Sequence, residues 1–186
     1  GPFGSAARYH RWVKDSGMGE DPAFYAIRRL DTGHCGGVAS FLRITPEAGS
    51  IEVGHICLSR ELQRSPAATE AMFLMMDWAF AAGYRRYEWK CNALNLPSRR
   101  AAQRLGFSYE GIFRQHVVVK GRNRDTAWFS VIDSEWPALR EAFRAWLSPA
   151  NFDAAGRQRE RLADLTGLVR AGSDPAAHPP RPPRPP

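Results

Sequence analysis

The hydrophobic pattern in the middle of the chain switches from a period of two to a helical period and back, and this switch limits the folds open to the chain more than any other feature. Residues 51–58 predict a strand, residues 66–82 a helix rich in alanine and methionine, and residues 86–91 another strand. Ser65 is suited to cap the helix, and Gly83 to end it. This order predicts a βαβ unit with a right-handed crossover and a parallel strand pair.

Strand and turn patterns on both sides extend this unit into a larger sheet. Residues 24–30 and 38–44 predict two strands that form an antiparallel meander with the strand at 51–58. Residues 107–120 and 125–133 predict a closing hairpin. The expected class is α/β (α+β): a mixed, mostly antiparallel twisted sheet with a central parallel βαβ pair, flanked by helices. The other expected helices are residues 6–14, residues 97–105 ending at Gly106, and an amphipathic C-terminal helix capped by Ser134 and ended by Pro149.

Length and composition suit one domain with a tail. A chain of 186 residues that is 44% hydrophobic is long enough for one core and too short for two domains of ordinary size. We expect the domain at residues 5–150, a short helical extension at 151–171, and a Pro/Arg-rich disordered tail at 172–186.

Cysteine use and charge exclude several classes. The three cysteines are odd in number and unclustered, so we expect buried reduced thiols and no metal site at Cys35, Cys57 and Cys91. No apolar run approaches the roughly 20 residues that span a bilayer, and we expect a cytoplasmic protein without a membrane partner. The formal charge of +7 favours anionic partners, but no nucleic-acid recognition motif is found, which disfavours nucleic acid.

The order of elements resembles the GNAT acetyltransferases, and three blocks carry the likeness. They are Ile-Glu-Val-Gly-His-Ile at 51–56, Gln-Arg-Ser-Pro-Ala-Ala-Thr-Glu-Ala at 63–71, and Asn-Ala-Leu-Asn-Leu-Pro-Ser at 92–98, which continues through Leu-Gly-Phe at 105–107 to Glu-Gly at 110–111. The likeness covers roughly residues 20–133 and reaches the branch that acetylates ribosomal-protein N-termini. The family's first strand and helix find no counterpart before Ser5.

This resemblance implies an N-acetyltransferase that uses acetyl-CoA to acetylate a primary amine, on a protein N-terminus or a small molecule. The implied partners are acetyl-CoA and the amine acceptor, and a homodimer stays open. Two alternatives remain: a pseudoenzyme that binds acyl-CoA without turnover, and a basic protein that binds RNA or ribosomes.

The implied cofactor site lies where a loop enters a helix, because a helix N-terminus offers unpaired N–H groups to phosphates. The chain departs from the family here, with Arg64, Pro66 and Ala68 where glycines are usual, although Arg64 can add a charge-assisted contact. Backbone N–H groups of the third strand are expected to meet the oxyanion. The expected cofactor-binding residues are Ile56, Cys57, Leu58, Gln63, Arg64, Ser65, Ala67, Ala68, Thr69, Asn95 and Arg99, with Arg100 and Arg104 as further basic candidates.

The implied catalytic groups are a base that deprotonates the amine and an acid that protonates the departing thiolate. Glu52 is the family-matched base, with His55 as the second choice on the opposite face by strand alternation. Ser98 is the expected acid. For Glu52 and His55 a purely structural partner is the open alternative, and for Ser98 helix capping. The expected acceptor-site residues are Glu52, His55, Trp89 and Trp128, and further polar candidates are Glu88, Glu110, His116 and Asp125.

Overall fold

The structure, a computed structural model, describes residues 3–177, and the chain divides into two compact units, Gly1–Tyr87 and Glu88–Pro186. Within the described residues the strands form one six-stranded mixed sheet in the order β1-β2-β3-β4-β6-β5, with β3 and β4 as the parallel pair. The strands are β1 (Ala23–Arg28), β2 (Cys35–Thr45), β3 (Ser50–Leu58), β4 (Arg86–Asn92), β5 (Ser108–Val119) and β6 (Arg122–Ile132). The helices are α1 (Ala6–Gly17), α2 (Pro66–Ala81), α3 (Leu96–Arg104), α4 (Trp136–Leu147) and α5 (Leu162–Gly167). The predicted fold class is confirmed.

The first unit is built on the antiparallel meander β1-β2-β3, as predicted. One face of the meander carries Phe41, which pairs with Val53 across the strands and stacks on Trp78 of α2 at 4.9 Å between ring centroids. Tyr87 adds an edge contact to Phe41 at 6.3 Å. This face is buried under α2 and forms the core of the unit. The side chains that alternate with it therefore point to the opposite face, where the polar groups described below are found.

The second unit contains the predicted closing hairpin, but its turn is tighter than expected. β5 ends at Val119 and β6 begins at Arg122, so the turn is Lys120-Gly121, and both residues have positive φ, 52° and 73°. Two-residue hairpin turns favour positive φ at both positions because their twist then matches that of the strands. The second strand consequently starts three residues before the predicted position of Asp125.

Helix α4 carries the predicted stripe of Trp136, Leu139, Phe143 and Trp146, all of which are buried. The predicted cap by Ser134 is wrong, because the N-cap residue is Glu135 and no side chain caps the helix. The turn before the helix is instead closed by carboxylates. Those of Asp133 and Glu135 accept the N–H groups of Ser134 and Ile132 at 2.8 and 3.1 Å.

The segment after α4 folds back onto α3. α5 is only six residues long, and it is the helical part of the expected extension. Further along, the N–H of Tyr109 donates to the carbonyl of Gly172 at 3.1 Å, and Asp174 is 1% exposed. Its carboxylate accepts from Arg99 Nε at 2.6 Å. The structure thus differs from the expected tail at 172–186, because a buried ion pair holds residues 172–177; residues 178–186 lie outside the described residues.

The cysteines differ from the expectation at two of three positions. Cys91 is buried, whereas Cys35 and Cys57 are exposed. Cys35 is the first residue of β2, and Cys57 follows an irregularity in β3 that changes the alternation of the strand. No helix within residues 3–177 has the length and apolar character that a membrane span requires.

Substituting Gly106→Ala tests the packing of α4 on the end of α3. Gly106 has a φ of 90°, and an added Cβ would collide with the side chain of Leu139. Gly83 has nearly the same φ, 92°, with nothing within 4 Å of an added Cβ. We expect Gly83→Ala to lower the free energy of unfolding by about 1–2 kcal/mol through backbone strain. Gly106→Ala should cost about 1–3 kcal/mol more from overpacking, measured by urea denaturation. Equal losses in the two variants would show that α4 shifts to make room for the added Cβ and would contradict tight packing at Gly106.

Substituting Asp174→Ala tests the buried ion pair. It leaves the buried Arg99 guanidinium with the Ala93 carbonyl, at 2.7 Å, as its hydrogen-bond acceptor among residues 3–177. Removing one member of a buried pair typically costs about 3–5 kcal/mol in the free energy of unfolding. The matched control is Glu141→Ala, which removes a carboxylate from a solvent-exposed pair with Arg144 and should change stability little. A loss no larger than that of the control would contradict the structural role of Asp174.

Candidate functional site

A β-bulge in β3 organises the polar face of the first unit. Ser40 of β2 lies opposite Gly54, but Val38 lies opposite Cys57, so the two residues after Gly54 face a single residue of β2. His55 accommodates the extra residue with a positive φ of 49°. Because a bulge interrupts alternation, it re-aims the side chains at and after this point.

Glu52 lies on β3 just before the bulge and is only 3% exposed. Its Oε2 accepts a hydrogen bond from Arg43 Nη1 at 2.8 Å. Arg43 stands in a second bulge with a φ of 47°, and the carboxylate of Asp21 accepts the N–H groups of Arg43 and Ile44 at 3.0 and 3.1 Å. A buried carboxylate needs such a partner, so this ion pair explains how an acidic residue is tolerated in an apolar strand.

The imidazole of His55 is exposed at the surface, and its Nδ1 side is held by contacts within the protein. Its Nδ1 lies 2.8 Å from Ser40 Oγ, and its ring packs against Phe24 at 5.1 Å between centroids. Ser40 itself is completely buried, and its hydroxyl also lies 3.3 Å from the carbonyl oxygen of Gly54. Two independent contacts therefore set the orientation of the ring.

Glu52 and His55 lie on the same face of the meander, and the prediction that they lie on opposite faces is wrong. Glu52 pairs with Leu42 and Gly54 with Ser40, so these side-chain positions share one face. A Cβ added at Gly54 would lie 3.8 Å from Glu52 Oε1. The bulge brings the His55 ring over Ser40 on that face, whereas strict alternation would send it to the core face.

The end of β3 carries the residues expected to contribute backbone N–H groups to the oxyanion. Cys57 is exposed, and Ile56 and Leu58 are partly buried. The carbonyl of Leu58 accepts from Gln63 Nε2 at 2.9 Å, so the Gln63 side chain closes the loop after β3. The oxyanion role of this segment stays a prediction.

The loop before α2 is largely satisfied by its own hydrogen bonds. Ser65 Oγ accepts the N–H of Ala68 at 3.2 Å, as an N-cap does, and the N–H groups of Ser65 and Thr69 donate to the carbonyls of Leu62 and Ser65 at 3.3 and 3.4 Å. Among the backbone N–H groups of Ser65, Ala67, Ala68 and Thr69, that of Ala67 alone lacks an acceptor in residues 3–177.

The backbone N–H of Arg64 is a second potential phosphate donor in this loop. Its N–H has no acceptor in the part of the chain that the structure describes, its side chain is exposed, and its φ is 59°. A glycine would adopt this left-handed conformation without strain, which matches the family's use of glycine in this loop. The structure thus leaves Arg64 and Ala67 as the groups of the loop best placed to receive an anion.

The start of α3 contains the candidate acid in the second unit. Asn95 caps the helix by accepting the N–H of Ser98 at 3.2 Å. Ser98 Oγ accepts from Trp89 Nε1 at 3.0 Å, so its hydroxyl is not a helix cap. Burial raises the pKa of the neighbouring Cys91 thiol, and a hydrogen bond with Ser98 acts in the opposite direction. Since Ser98 Oγ accepts from the indole, its own proton is the one directed to Cys91, which agrees with the lowering effect of this hydrogen bond on the thiol pKa.

Arg99 does not lie where a phosphate ligand was expected. Its guanidinium is 5% exposed and donates to Asp174 and to the carbonyl of Ala93, and the hydrogen bond with Asp174 raises the pKa of Arg99. The basic neighbours differ in their surroundings. Arg100 is exposed, while burial lowers the pKa of Arg104.

Trp89 and Trp128 lie on opposite faces of the sheet in the second unit, so they do not line one acceptor pocket. Trp89 is 6% exposed and contacts Phe107 at 5.6 Å on the core face. Lys90, the next residue of β4, points to the other face and places its Nζ 3.8 Å above the Trp128 ring. Lys90 also pairs with Glu88 at 2.6 Å.

The other polar candidates have partners within the hairpin. Glu110 accepts from Ser130 Oγ at 2.7 Å, and His116 Nδ1 lies 3.0 Å from Thr126 Oγ1. Asp125 accepts the N–H of Gln115 at 2.8 Å, which lowers the pKa of Asp125. Structural roles account for these contacts. Across residues 3–177, no cluster of three or more potential metal-ligating side chains is present.

Sequence reasoning missed Ser40, Arg43 and Asp21. None of these residues lies in a motif, and each acts through a partner distant in sequence. Only the pairing of β2 with β3 and the position of Asp21 before β1 bring them to the polar face. A serine or arginine in a predicted strand carries no local signal for such a role.

The fold and these groups agree with the resemblance seen in the sequence. A family model for the acetyltransferase (GNAT) domain matches residues 3–108, more than half of the chain. The chain therefore belongs to the GNAT acetyltransferase family, whose members use acetyl-CoA as cosubstrate. The prediction of this family is confirmed, while the ribosomal-protein branch stays a prediction.

Several proteins share this similarity. A GCN5-related N-acetyltransferase from Brucella melitensis is 52% identical with a TM-score of 0.86, covering 90% of this chain and 76% of that one. A probable GNAT acetyltransferase from Chromobacterium violaceum is 41% identical with a TM-score of 0.70, covering 74% and 70%. An uncharacterised N-acetyltransferase, p20, from Bacillus licheniformis is 31% identical over 113 residues, 60% of this chain and 63% of that relative.

Substituting Arg64→Glu tests the loop before α2 as the phosphate site. Replacing an attractive charge by a repulsive one should weaken acetyl-CoA binding and flatten its salt dependence in calorimetric titrations. Arg64→Gly should lose the charge contact but relieve the left-handed backbone, so its affinity should fall less and its stability should not decrease. Arg8→Glu, at an exposed position of α1, is the control for net charge. Affinity unchanged in Arg64→Glu would remove Arg64 from the phosphate site.

Proposed function

We propose that this chain is an acetyl-CoA-dependent N-acetyltransferase that acetylates a primary amine. The observation that carries the proposal is the polar face of the first unit, where Glu52 and His55 lie together beside the β3 bulge. A protonated amine cannot attack a thioester, so the reaction needs a proton acceptor near the amine. Family membership supports the reaction class, and this face offers two groups able to accept the proton.

The proposed reaction is a direct transfer. The neutral amine nitrogen attacks the thioester carbonyl carbon and a C–N bond forms, while the proton that the nitrogen loses passes to the base. The C–S bond breaks, the thiolate takes a proton from an acid, and the acid regains a proton from solvent. Glu52 and His55 are the proposed proton acceptors. Ser98 is the proposed acid, supported by its position in the first turn of α3. Backbone N–H groups at 56–58 are proposed to stabilise the oxyanion.

The proposed contacts to acetyl-CoA follow from the donors that the chain leaves unused. The N–H groups of Arg64 and Ala67, with the Arg64 guanidinium, are proposed to bind its phosphates at the start of α2. Asn95 caps α3 through its carbonyl oxygen, so its NH₂ group remains a donor for the amides of the pantetheine arm.

The acceptor is proposed to be a protein N-terminus or a small-molecule amine in the cytoplasm. The sequence blocks at 51–56, 63–71 and 92–98 resemble the ribosomal-protein branch and therefore support a protein N-terminus as the acceptor. The fold alone does not set the acceptor, because one scaffold serves many substrates. The self-satisfied loop before α2 favours one second candidate, a protein that binds acyl-CoA without turnover.

Release of free thiol from acetyl-CoA, measured over a panel of amines and N-terminal peptides, tests this function. We expect transfer to at least one primary amine. The double variant Glu52→Gln/His55→Gln removes both proposed acceptors and should lower turnover at least about a hundredfold, with acetyl-CoA affinity within a few-fold of wild type.

Two outcomes would contradict the proposal. Calorimetric binding of acetyl-CoA without transfer to any amine would favour the acyl-CoA-binding candidate. Near-normal turnover of the double variant would exclude this face as the source of the base.

A further inference from the structure

The Ser40–His55 contact has a hydrogen-bond direction that follows from its surroundings. Ser40 Oγ lies 2.8 Å from His55 Nδ1 and 3.3 Å from the carbonyl oxygen of Gly54. Ser40 is completely buried, so its hydroxyl is satisfied by these groups. A hydroxyl has one proton to donate, and a carbonyl oxygen only accepts. Both contacts are hydrogen bonds if Ser40 donates to Gly54 and accepts from an Nδ1–H of His55.

This direction fixes the form of the neutral imidazole. When Nδ1 carries the proton, Nε2 carries the lone pair. The opposite direction would have Ser40 donate to Nδ1, which would leave two oxygen atoms facing each other without a proton and would place a proton on Nε2. Within residues 3–177 the structure records no partner for Nε2, and the His55 residue is exposed. The ring therefore presents a free basic nitrogen at the surface.

We infer that His55 is the direct proton acceptor of the reaction and that Ser40 is its positioning residue. The inference rests on the proposed function. As the C–N bond forms, the proton on the amine nitrogen moves to Nε2. The resulting imidazolium keeps its Nδ1–H bond to Ser40 and then releases the proton to solvent. Ser40 loses no proton in this step, because its own proton stays on Oγ in the hydrogen bond to the Gly54 carbonyl.

Accessibility favours His55 over Glu52 for this role. The Glu52 carboxylate is 3% exposed, and Arg43 already occupies its Oε2. His55 is exposed, and the Phe24 ring at 5.1 Å limits its rotation. A general base must reach the proton that it removes, and an oriented ring loses less entropy in doing so. The charged groups on this face are Glu52 and Arg43, which pair with each other, and Asp21, which binds backbone N–H groups.

The tautomer is measurable without turnover. Nitrogen-15 NMR of the ring should show wild-type His55 with its proton on Nδ1. Ser40→Ala removes the acceptor of that proton, and we expect the signals to move toward the Nε2–H form that free imidazole favours. Ser40→Thr keeps a hydroxyl and should restore the wild-type pattern. Thr126→Val removes the hydroxyl beside His116 and serves as the spectroscopic control, which should leave the His55 signals unchanged.

Turnover gives the second readout. We expect His55→Gln to lower turnover about a hundredfold, Ser40→Ala about tenfold, and Glu52→Gln less than tenfold, with acetyl-CoA affinity within a few-fold in each. A merely structural Ser40 would change stability without changing the tautomer or turnover.

The outcomes separate this inference from the proposed function. Wild-type His55 with its proton on Nε2, or an active His55→Gln variant beside an inactive Glu52→Gln variant, would overturn the role of His55 while leaving amine acetylation in place. Wild-type protein that transfers acetyl groups to no amine would overturn both.

Discussion

The extra residue in β3 at His55 determines the chemistry available on the polar face of the first unit. With strict alternation, His55 would share the face of Val53, which is buried under α2. The bulge turns its ring onto Ser40 instead. A positive φ at a residue with a side chain costs about 1–2 kcal/mol, and it persists only where surrounding contacts hold it. The hydrogen bond to Ser40 and the packing on Phe24 are contacts of that kind.

The loop before α2 also contains a residue with a strained backbone, and there the side chain contributes a charge. Arg64 adopts a left-handed conformation that glycine would adopt without cost, and it brings a guanidinium that glycine lacks. Most N–H groups of the loop are already bonded inside the chain, so its electrostatic attraction for an anion depends on fewer groups than an open glycine-rich loop would offer. In the proposed phosphate site, we therefore expect the side-chain charge of Arg64 to contribute more to binding than the backbone.

Periodicity was sufficient to predict the fold because helices and strands are set by local patterns. The alanine- and methionine-rich segment became α2 at Pro66–Ala81, and the stripe with Leu139 and Phe143 became the buried side of α4. The positions of Glu52 and His55 on one face were not predictable, since a bulge depends on the pairing of β3 with β2. The same applies to Arg99, whose partner Asp174 lies 75 residues away. Composition indicated a tail there, and only the folded chain brings the two charges together.

The two polar pairs of the first unit follow one design, in which a buried group holds an exposed one. Glu52 is buried and Arg43 exposed; Ser40 is buried and His55 exposed. In each pair the buried member is satisfied by the contact, and the exposed member loses rotational freedom rather than accessibility. A molecule arriving from solvent therefore meets the guanidinium and the imidazole first, because the Glu52 carboxylate lies behind Arg43. This face therefore differs from one with an exposed carboxylate, because Arg43 and His55 are exposed and Glu52 is not. The two bulges, at Arg43 and His55, produce this arrangement.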